Sequence, residues 1–524
     1  MKPGSFSMAD TTEPRRKRSG RAAKQSADQT AGFKQLPWRQ VENPFPPFKF
    51  ISDDQVETIH NAALEVLETI GMNFLAEEAR DILKIAGADV RDGDPRVRFD
   101  RTLIEKYLAK APSEYTMHAR NSERNLHWGG NILNFAMVAS PPHVSALDLP
   151  RQAGTFDTYC DFLKLAQSLN IVHMIAGYPV EPQDIAPRLR HLDAYQAMVR
   201  HCDKLNFAYA LGRDRIHDSL TMTAIAHGVT MEGLKSRPSL FTVVNANSPL
   251  QYDIPMLTGM MEMARYNQPV IVTPFTLAGA MAPVSVAGAL VQQHAEAIAG
   301  LAFIQMVNPG APCVYGGFTS NVDMKTGSPA FGTPEHAKAT IIGGQLARRV
   351  GLPYRASNVN ASNAPDVQST YESQMTIWGC ALGHCNVMMH GLGWIEGGLC
   401  ASYEKVIIDA EMLQMMAEFL KPLDTSRDEL AIDAMADVGP GGHFFGTQHT
   451  LDRYETAFYS PMLSDWRNFE TWEEHGSVDA TQRAHRIYKD LIAGYEKPPL
   501  DPAIDEELDA FVKRRHEEGG VPED

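Results

Sequence analysis

A cation and several carboxamides interrupt an otherwise apolar part of the chain at residues 352–368, LPYRASNVNASNAPDVQ. Arg355 follows an apolar start, and Asn358, Asn360 and Asn363 come shortly after it. A buried guanidinium is costly to desolvate unless an anion meets it. Carboxamides supply hydrogen-bond donors and acceptors to such a place. The stretch therefore predicts a site for a polar ligand that carries a negative charge.

Aromatic, amide and imidazole side chains stand at the ends of further apolar runs. Aromatic rings can enclose an organic cation through cation–π contacts. A ligand with a quaternary ammonium at one end and a carboxylate at the other, the shape of a betaine, would suit both the rings and the guanidinium. The candidates for acid–base chemistry are His390 and Glu396, although a lone histidine at a strand end is often only structural. The residues collected in this way are Tyr178, Asn245, Asn247, Phe275, Tyr315, Phe318, Tyr354, Arg355, Asn358, His390, Trp394 and Glu396.

Eight short apolar runs, each followed by a longer helical pattern, must position these residues. Continuous apolar strands that alternate with helices indicate parallel strands buried on both faces. Eight units between residues 126 and 425 predict an α/β fold, a closed (β/α)8 TIM barrel, with its site at the carboxyl ends of the strands. No glycine-rich dinucleotide fingerprint follows the first run. The runs are 132–139, 171–178, 205–211, 239–245, 269–275, 312–318, 352–358 and 385–391.

Three further regions flank the predicted barrel domain of residues 126–425. Residues 1–45 are basic and poor in large apolar groups, which predicts a disordered tail. Residues 46–125 show helical periodicity, with Ser52 as a candidate N-cap, and predict a helical N-terminal subdomain. Residues 426–524 are less regular and predict a C-terminal extension that covers one face or joins a homo-oligomer.

The overall composition excludes several classes of protein. The chain has 524 residues, is 44% apolar and carries a formal net charge of −16. That charge argues against a nucleic-acid binder, which needs a basic face. The sequence contains no run of about 20 apolar residues, so we predict no membrane-spanning segment. Six scattered cysteines suggest reduced thiols, and we expect a cytoplasmic protein.

Two groups of potential metal ligands are weaker candidates. Cys380 and His384 stand four residues apart next to Cys385, a spacing that can bind zinc on a helix. The segment is apolar and offers no third and fourth ligand, so a packed core is the preferred interpretation. His443 and His449 lie in a glycine-rich segment and are interpreted as structural or solvated. We therefore predict no metal site.

Several motifs resemble the trimethylamine methyltransferase superfamily. They are YGGFTSNVDMKTGSPAFGTPEHAKA, NAPDVQSTYES, HGLGWIEGGL, EKVIIDAEMLQMM and GGHFFGTQHT, within a similarity that spans about residues 50–505. The resemblance implies a TIM barrel that moves a methyl group from a methylated amine to the Co(I) centre of a separate corrinoid protein. It implies no tightly bound cofactor, because the cobalamin is carried by that partner.

One position departs from the archaeal trimethylamine enzymes of that superfamily. Those enzymes carry pyrrolysine a few residues before a Pro-Asp pair, and counting back from Pro365-Asp366 gives Val359. Valine offers no electrophilic imine, so the resemblance points to the branch without pyrrolysine, which is similar to glycine betaine methyltransferases. A quaternary ammonium needs no further activation, because its leaving group departs as a neutral tertiary amine. The enzyme then has to bind, orient and desolvate its substrate.

The resemblance and the charges together predict a role for each candidate residue. Arg355 and His390 are expected to bind the carboxylate of a betaine, and Asn245 and Asn358 to supply hydrogen bonds. The trimethylammonium cage is expected from Tyr178, Phe275, Phe318 and Tyr354. Glycine betaine, giving dimethylglycine, is the preferred substrate. Another betaine, carnitine, choline or trimethylamine stays open as substrate, as does a non-catalytic betaine-binding protein; choline lacks the carboxylate that Arg355 would bind.

Overall fold

The structure, a computed structural model, describes residues 35–522. Residues 1–34 of the predicted tail lie outside that range. Residues 35–45 are ordered, contrary to the predicted tail: Val41–Glu42 forms a strand, and the Leu36 N–H donates to Gln414 Oε1 at 2.8 Å. The strand pairs antiparallel with residues 132–133. The tail prediction fails here because a polar segment with little apolar content can still be ordered by backbone pairing at a sheet edge.

The N-terminal region mixes helices with short strands. Its helices are α1 (Asp53–Glu65), α2 (Glu77–Ala86) and α3 (Arg101–Leu108). The predicted cap is confirmed, since the Ser52 side chain accepts from the Gln55 N–H in a capping box. Strands Met72–Phe74, Asp89–Val90 and Arg96–Arg98 form a sheet with the later strand Gln251–Tyr252, and Tyr115–Met117 pairs with Leu126–Trp128. The region is therefore less purely helical than its periodicity indicated.

Seven parallel strands form the main sheet. Six of them lie within predicted apolar runs, and the seventh ends one residue beyond its run. The strands are β1 (Ile132–Met137), β2 (Asn206–Phe207), β3 (Leu240–Val244), β4 (Val270–Val272), β5 (Cys313–Gly316), β6 (Tyr354–Ser357) and β7 (Val387–Leu392). Their spatial order is β1-β7-β6-β5-β4-β3-β2, with the antiparallel strand Val41–Glu42 at the outer edge of β1.

The remaining predicted run, 171–178, is not a regular strand. Its Met174 makes parallel bridges to Ala136 in β1 and to Leu205 just before β2. The Met137 N–H donates to Met174 O at 3.1 Å, and the Ile175 N–H donates to Leu205 O at 3.0 Å. This segment thus lies between the two ends of the main sheet. The protein shows a mixed α/β fold with a curled, mostly parallel eight-stranded sheet.

Helices follow the strands, as the alternating pattern predicted. The central helix, Val286–Val307, buries 16 of its 22 residues, which agrees with its largely apolar composition. The helices of this part are α4 (Phe156–Ser168), α5 (Pro187–His201), α6 (Arg213–Ala226), a single turn at Met231–Leu234, α7 (Ile254–Arg265), α8 (Val286–Val307), α9 (Pro334–Arg349), α10 (Val367–Leu382) and α11 (Tyr403–Phe419).

Two small sheets extend from the carboxyl ends of the main strands. Phe275–Ala278, Phe318–Val322 and Pro329–Ala330 form one of them. The other contains His143–Ala146, Leu149–Ala153, Trp394–Ile395 and Cys400–Ser402. Both therefore bring loop residues to the edge where the sequence predicted the site.

The C-terminal part contains α12 (Ile432–Val438), α13 (Gln448–Arg453), α14 (Phe469–Glu474), α15 (Ala480–Ala493) and α16 (Pro502–Glu517). Helix α15 packs against α4 and α11, while α16 packs against α5 and α6. Within residues 35–522 no helix is both long and apolar enough to cross a membrane. All six cysteines are buried free thiols.

One residue or more from every main strand but β6 contributes to an apolar cluster inside the curve of the sheet. Ile271 of β4 and Val314 of β5 are fully buried in it, as are Ala136 of β1 and Phe241 of β3. Side chains of a strand point alternately to opposite faces. This cluster therefore fixes, strand by strand, which residues face inward and which face the helices.

Candidate active site at the carboxyl ends of the strands

A cavity of about 250 Å³ opens at the carboxyl ends of the main strands. Six of the predicted residues line it: Asn245, Phe275, Phe318, Arg355, His390 and Trp394. They come from five different strands or strand ends, so residues distant in sequence meet in one place. Its volume is below the roughly 300–1,000 Å³ of pockets for drug-sized ligands, which indicates a small ligand.

Arg355 is the buried cation of this cavity. Its side chain comes from β6 and is 3% exposed. One guanidinium nitrogen donates to Gly317 O at 3.2 Å, and Nη2 lies 3.5 Å from His390 Nε2. Burial lowers the pKa of Arg355 to about 10, so the group stays charged at neutral pH. Within residues 35–522 no Asp or Glu pairs with it, and its Nε has no partner.

His390 owes its position to an irregularity in β7. The pairing of β7 with β1 shifts register between Met388 and Leu392, and His390 has a left-handed φ of 54°. Such a conformation is uncommon for a residue with a side chain and clusters at functional sites. Burial, reinforced by the nearby charge of Arg355, holds the pKa of His390 well below its usual value. The ring is therefore neutral at physiological pH.

Three nitrogens of the cavity residues are buried without a hydrogen-bond partner: Arg355 Nε, His390 Nδ1 and Trp394 Nε1. The first and the last are always donors. If neutral His390 accepts from Arg355 through Nε2, its Nδ1 carries the proton and is a donor too. Leaving a buried donor unsatisfied costs about 1–3 kcal/mol. The cavity therefore offers free hydrogen-bond donors and a positive charge, which suit a negatively charged acceptor.

Aromatic rings surround this group of donors. Phe275 and Phe318 are direct partners across neighbouring strands, with ring centroids 5.0 Å apart. Arg355 Cζ lies 5.2 Å from the Phe318 ring centroid, so that ring already faces a cation. The Trp394 ring lies 4.2 Å from His390 between centroids. Gly398 makes room for the indole, because a Cβ there would lie 2.4 Å from the Trp394 ring.

A second aromatic group stands after β2. Tyr209 lines the cavity beside Phe207, with ring centroids 4.8 Å apart. Its hydroxyl contacts Ser140 Oγ at 2.7 Å and accepts the Tyr178 N–H at 3.0 Å. Neither Phe207 nor Tyr209 was among the sequence candidates. Their spacing of two within the run 205–211 was the available signal, because it puts both side chains on one face of a strand.

Three predicted ligand residues lie outside the cavity lining. Tyr354 neighbours Arg355 in the same strand, so its ring faces the helices, and its hydroxyl donates to Thr340 O at 2.7 Å. Asn358 also turns to the helix layer, where its Oδ1 accepts from the Thr376 hydroxyl of α10 at 2.9 Å. Tyr178 packs behind Tyr209, with ring centroids 4.6 Å apart. These positions correct the expected cage and hydrogen-bonding set.

Two further candidates also lie apart from the donors. Glu396 forms an ion pair with Arg151 at 2.8 Å, which makes it a poor free acid or base. Val359, the position matched to pyrrolysine, is fully buried and does not line the cavity. Its loop supports the site instead: Asn360 Nδ2 donates to Trp394 O at 2.6 Å.

The considered zinc ligands do not share a helix face. Helix α10 ends at Leu382, so Cys380 lies within it while His384 follows it with a left-handed φ of 54°. Cys380 is buried, and its Sγ lies 3.5 Å from Ser357 O. The i,i+4 geometry that would favour zinc is therefore not formed.

A larger cavity of about 620 Å³ lies at the opposite edge of the sheet. Its lining includes Leu352 and Pro353, which precede β6. Sites of parallel α/β enzymes lie at the carboxyl ends of strands, and this cavity is at the amino end. The smaller cavity, with its converging donors, is therefore the better candidate.

Sequence comparison now identifies the relatives of this chain. The sequence model of the family described as trimethylamine methyltransferase (MTTB) matches residues 17–520. The chain belongs to the trimethylamine methyltransferase family. A glycine betaine methyltransferase of Desulfitobacterium hafniense (strain Y51) is 36% identical over 476 residues, which cover 91% of this chain and 98% of that protein.

Other members of the trimethylamine methyltransferase family are more distant. The trimethylamine methyltransferase MttB of Desulfitobacterium hafniense (strain DSM 10664 / DCB-2) is 28% identical, covering 90% of this chain and 94% of that protein. MttB of Methanosarcina barkeri (strain Fusaro / DSM 804) is 26% identical, covering 88% and 94%. The similarity to the family thus includes the whole main sheet and the cavity.

Proposed function

We propose that this member of the trimethylamine methyltransferase family transfers a methyl group from glycine betaine to the Co(I) centre of a corrinoid protein, releasing dimethylglycine. The observation that carries the proposal is the buried, unpaired Arg355 with the free donors of His390 and Trp394 beside it. A carboxylate satisfies a cation and several donors at once. The similarity to a glycine betaine methyltransferase supports the same substrate.

The other end of the substrate is assigned by charge repulsion. A trimethylammonium group is repelled by Arg355, so it must lie on the far wall of the cavity. We propose that the bridges of Met174 close the sheet into an eight-stranded (β/α)8 barrel. In the resulting circular order β2 stands opposite β6. Tyr209, just after β2, and its neighbour Phe207 would then face the ammonium by cation–π contact.

Methyl transfer from a quaternary ammonium requires the protein to bind and orient the substrate but not to transfer a proton. The corrinoid of the partner protein supplies the Co(I) nucleophile. The carbon–nitrogen bond of a quaternary ammonium breaks with both electrons going to nitrogen, so the product amine is neutral and needs no general acid. A neutral His390 and an ion-paired Glu396 agree with this requirement. Arg355 fixes one end of the substrate, and the aromatic walls keep water from its methyl groups.

Trimethylamine is the second candidate substrate, because several relatives are named for it. It has no carboxylate, so it would leave Arg355 without a partner in a buried site. A carboxylate-bearing quaternary amine such as carnitine satisfies Arg355 but needs a longer cavity. These considerations place glycine betaine first.

A methyl-transfer assay tests the proposal. The purified chain is given cobalamin reduced to Co(I) and a panel of glycine betaine, carnitine, choline, proline betaine and trimethylamine. Formation of methylcobalamin and dimethylglycine with glycine betaine, and faster than with the other amines, is the expected result. If no betaine is demethylated while trimethylamine is, the assignment of the carboxylate end is wrong.

A pair of variants tests the assignment of the ammonium end. Tyr209→Leu should weaken glycine betaine binding in calorimetry by about 5–30-fold, because a desolvated cation–π contact contributes about 1–2 kcal/mol. Tyr354→Phe is the matched control, since that hydroxyl bonds to Thr340 O behind the sheet and its loss should leave the affinity unchanged. Equal effects of the two changes would contradict the proposed wall.

A further inference from the structure

The chain leaves the globular body after α11 and returns to it at residues 462–464. We call residues 421–462 the arm. On the returning side, the Met462 and Leu463 N–H groups donate to Glu411 Oε2 of α11 at 2.8 and 3.0 Å. Both ends of the arm are thus held by the same helix. Across residues 421–462, all of which the structure describes, only Ala434 is buried.

The arm exposes many large apolar side chains. Phe445 and Phe458 are each 85% exposed, so the rest of the chain does not cover these side chains. Exposed apolar patches of this extent mark interaction sites in soluble proteins. The exposed large apolar side chains of the arm, each at least half exposed, include Leu423, Met435, Phe445, Leu451, Tyr454 and Phe458.

The helices of the arm also require a packing partner. Helix α12 has seven residues and α13 has six. Isolated helices shorter than about 12–15 residues are marginal in water, and most helix stability in proteins comes from packing an apolar face. The ion pairs Arg427–Asp433 and Arg453–Asp428 lie within the arm and are exposed, so they contribute little. A surface outside the arm must therefore stabilise it.

An unpartnered apolar surface of the right kind lies beside the base of the arm. Val367, Tyr371 and Met375 follow one another at a spacing of four along α10 and are all exposed. The stripe continues through Trp378, whose ring contacts Phe419 at the end of α11 with centroids 5.2 Å apart. We call the exposed residues Val367, Tyr371, Met375 and Phe419 the α10 face.

We propose that the arm packs on the α10 face of a second copy of this chain, and that the second arm does the same in return. Each molecule carries both an apolar arm and an apolar α10 face. In a two-fold dimer the arm of each chain covers the face of the other, so no arm and no face remains exposed. Because the arm begins two residues after Phe419, on the edge of that face, the exchange needs no rearrangement of the body. This interface is independent of the substrate assignment.

Sedimentation velocity of the full chain tests the pair. The expected mass at micromolar concentration is about twice 57.9 kDa. Phe445→Glu in the arm and Tyr371→Glu on the face should each raise the dimer dissociation constant by at least about 30-fold, the effect of losing an interface hot spot. Ile85→Glu is the control, because Ile85 is equally exposed on α2 and should leave the dissociation constant unchanged.

Mixing the two variants distinguishes exchange from an arm folded on its own body. A heterodimer of Phe445→Glu with Tyr371→Glu keeps one intact arm–face contact, so the mixture should associate more tightly than either variant alone. Far-UV circular dichroism should show that both variants remain folded. A monomeric wild type would overturn the proposal, including one whose arm variants lose only binding to a corrinoid protein. So would a dimer whose dissociation constant neither change raises, or a mixture whose dissociation constant is no lower than that of either variant alone.

Discussion

Arg355 and Lys405 are two buried cations that the protein treats in opposite ways. Lys405 of α11 is fully buried and forms an ion pair with Asp409, and its Nζ donates to Ser373 Oγ at 2.8 Å. Arg355 is nearly as buried and has no carboxylate partner in residues 35–522. Burial lowers the pKa of both groups, but only for Lys405 does a carboxylate oppose the shift.

The Lys405–Asp409 pair stabilises the backbone turn that carries His390 and Trp394, the neighbours of Arg355 in the cavity. Asp409 Oδ2 accepts from the Gly393 N–H at 2.8 Å, and its Oδ1 lies 3.4 Å from Asn358 Nδ2. Asn358 in turn donates to Gly391 O. The turn between His390 and Trp394 is therefore fixed from behind. The comparison shows that the buried charge of Lys405 is neutralised within the protein, whereas that of Arg355 is available to an anionic ligand.

The largest expected effect is on the paired cation. Asp409→Asn leaves Lys405 as an uncompensated buried charge and should lower the free energy of unfolding by about 3–5 kcal/mol. Urea denaturation measures this loss. Asp92→Asn is the control, because the Lys84–Asp92 pair at 2.7 Å is exposed and its loss should leave the free energy of unfolding nearly unchanged. Similar losses for the two variants would contradict the distinction between buried and exposed pairs.

An effect of the opposite kind is expected at the unpaired cation. Arg355→Met removes a desolvated charge that no carboxylate of residues 35–522 compensates, so urea denaturation should show no loss of stability. Glycine betaine affinity in calorimetry should fall by about 10–150-fold, since a hydrogen bond to a charged group contributes about 1.5–3 kcal/mol. Choline, which lacks the carboxylate, is the control ligand and should bind no more weakly to the variant. A strongly destabilised Arg355→Met variant would show that the cation is structural.

The smallest expected effect concerns pH. Burial keeps the pKa of His390 well below 6.5 and that of Arg355 at about 10, so neither group changes charge between pH 6.5 and 8.5. Glycine betaine affinity should be constant over that range and should fall only as pH rises through about 10, where Arg355 loses its proton. Calorimetry at four pH values measures this. An affinity that increases as pH falls through 6.5 would mean that His390 binds the carboxylate in its protonated form.

Much of the site could be read from the order of residue types along the chain. The apolar runs located the strands, and their carboxyl ends gave Asn245, Phe275, Phe318, Arg355 and His390 as cavity residues. Tyr354 could have been excluded on the same grounds, because it precedes Arg355 in one strand and must face the other side. Phe207 and Tyr209 could have been added, because their spacing of two within the run 205–211 puts both on one face of a strand. Trp394 stands a few residues beyond its run, where no periodicity determines the direction of its side chain.

The sequence by itself determined the alternation of strands and helices, because apolar period and turn residues act locally. It also showed that Lys405 and Asp409 stand four residues apart, as an ion pair on a helix requires. Only the tertiary structure decided that this pair is buried and that Arg355 has no carboxylate partner among residues 35–522. A missing counter-charge is a property of the whole neighbourhood, and residues from β5, β6 and β7 must be in place before it exists. The register shift that turns His390 into the cavity likewise depends on pairing between strands far apart in the chain.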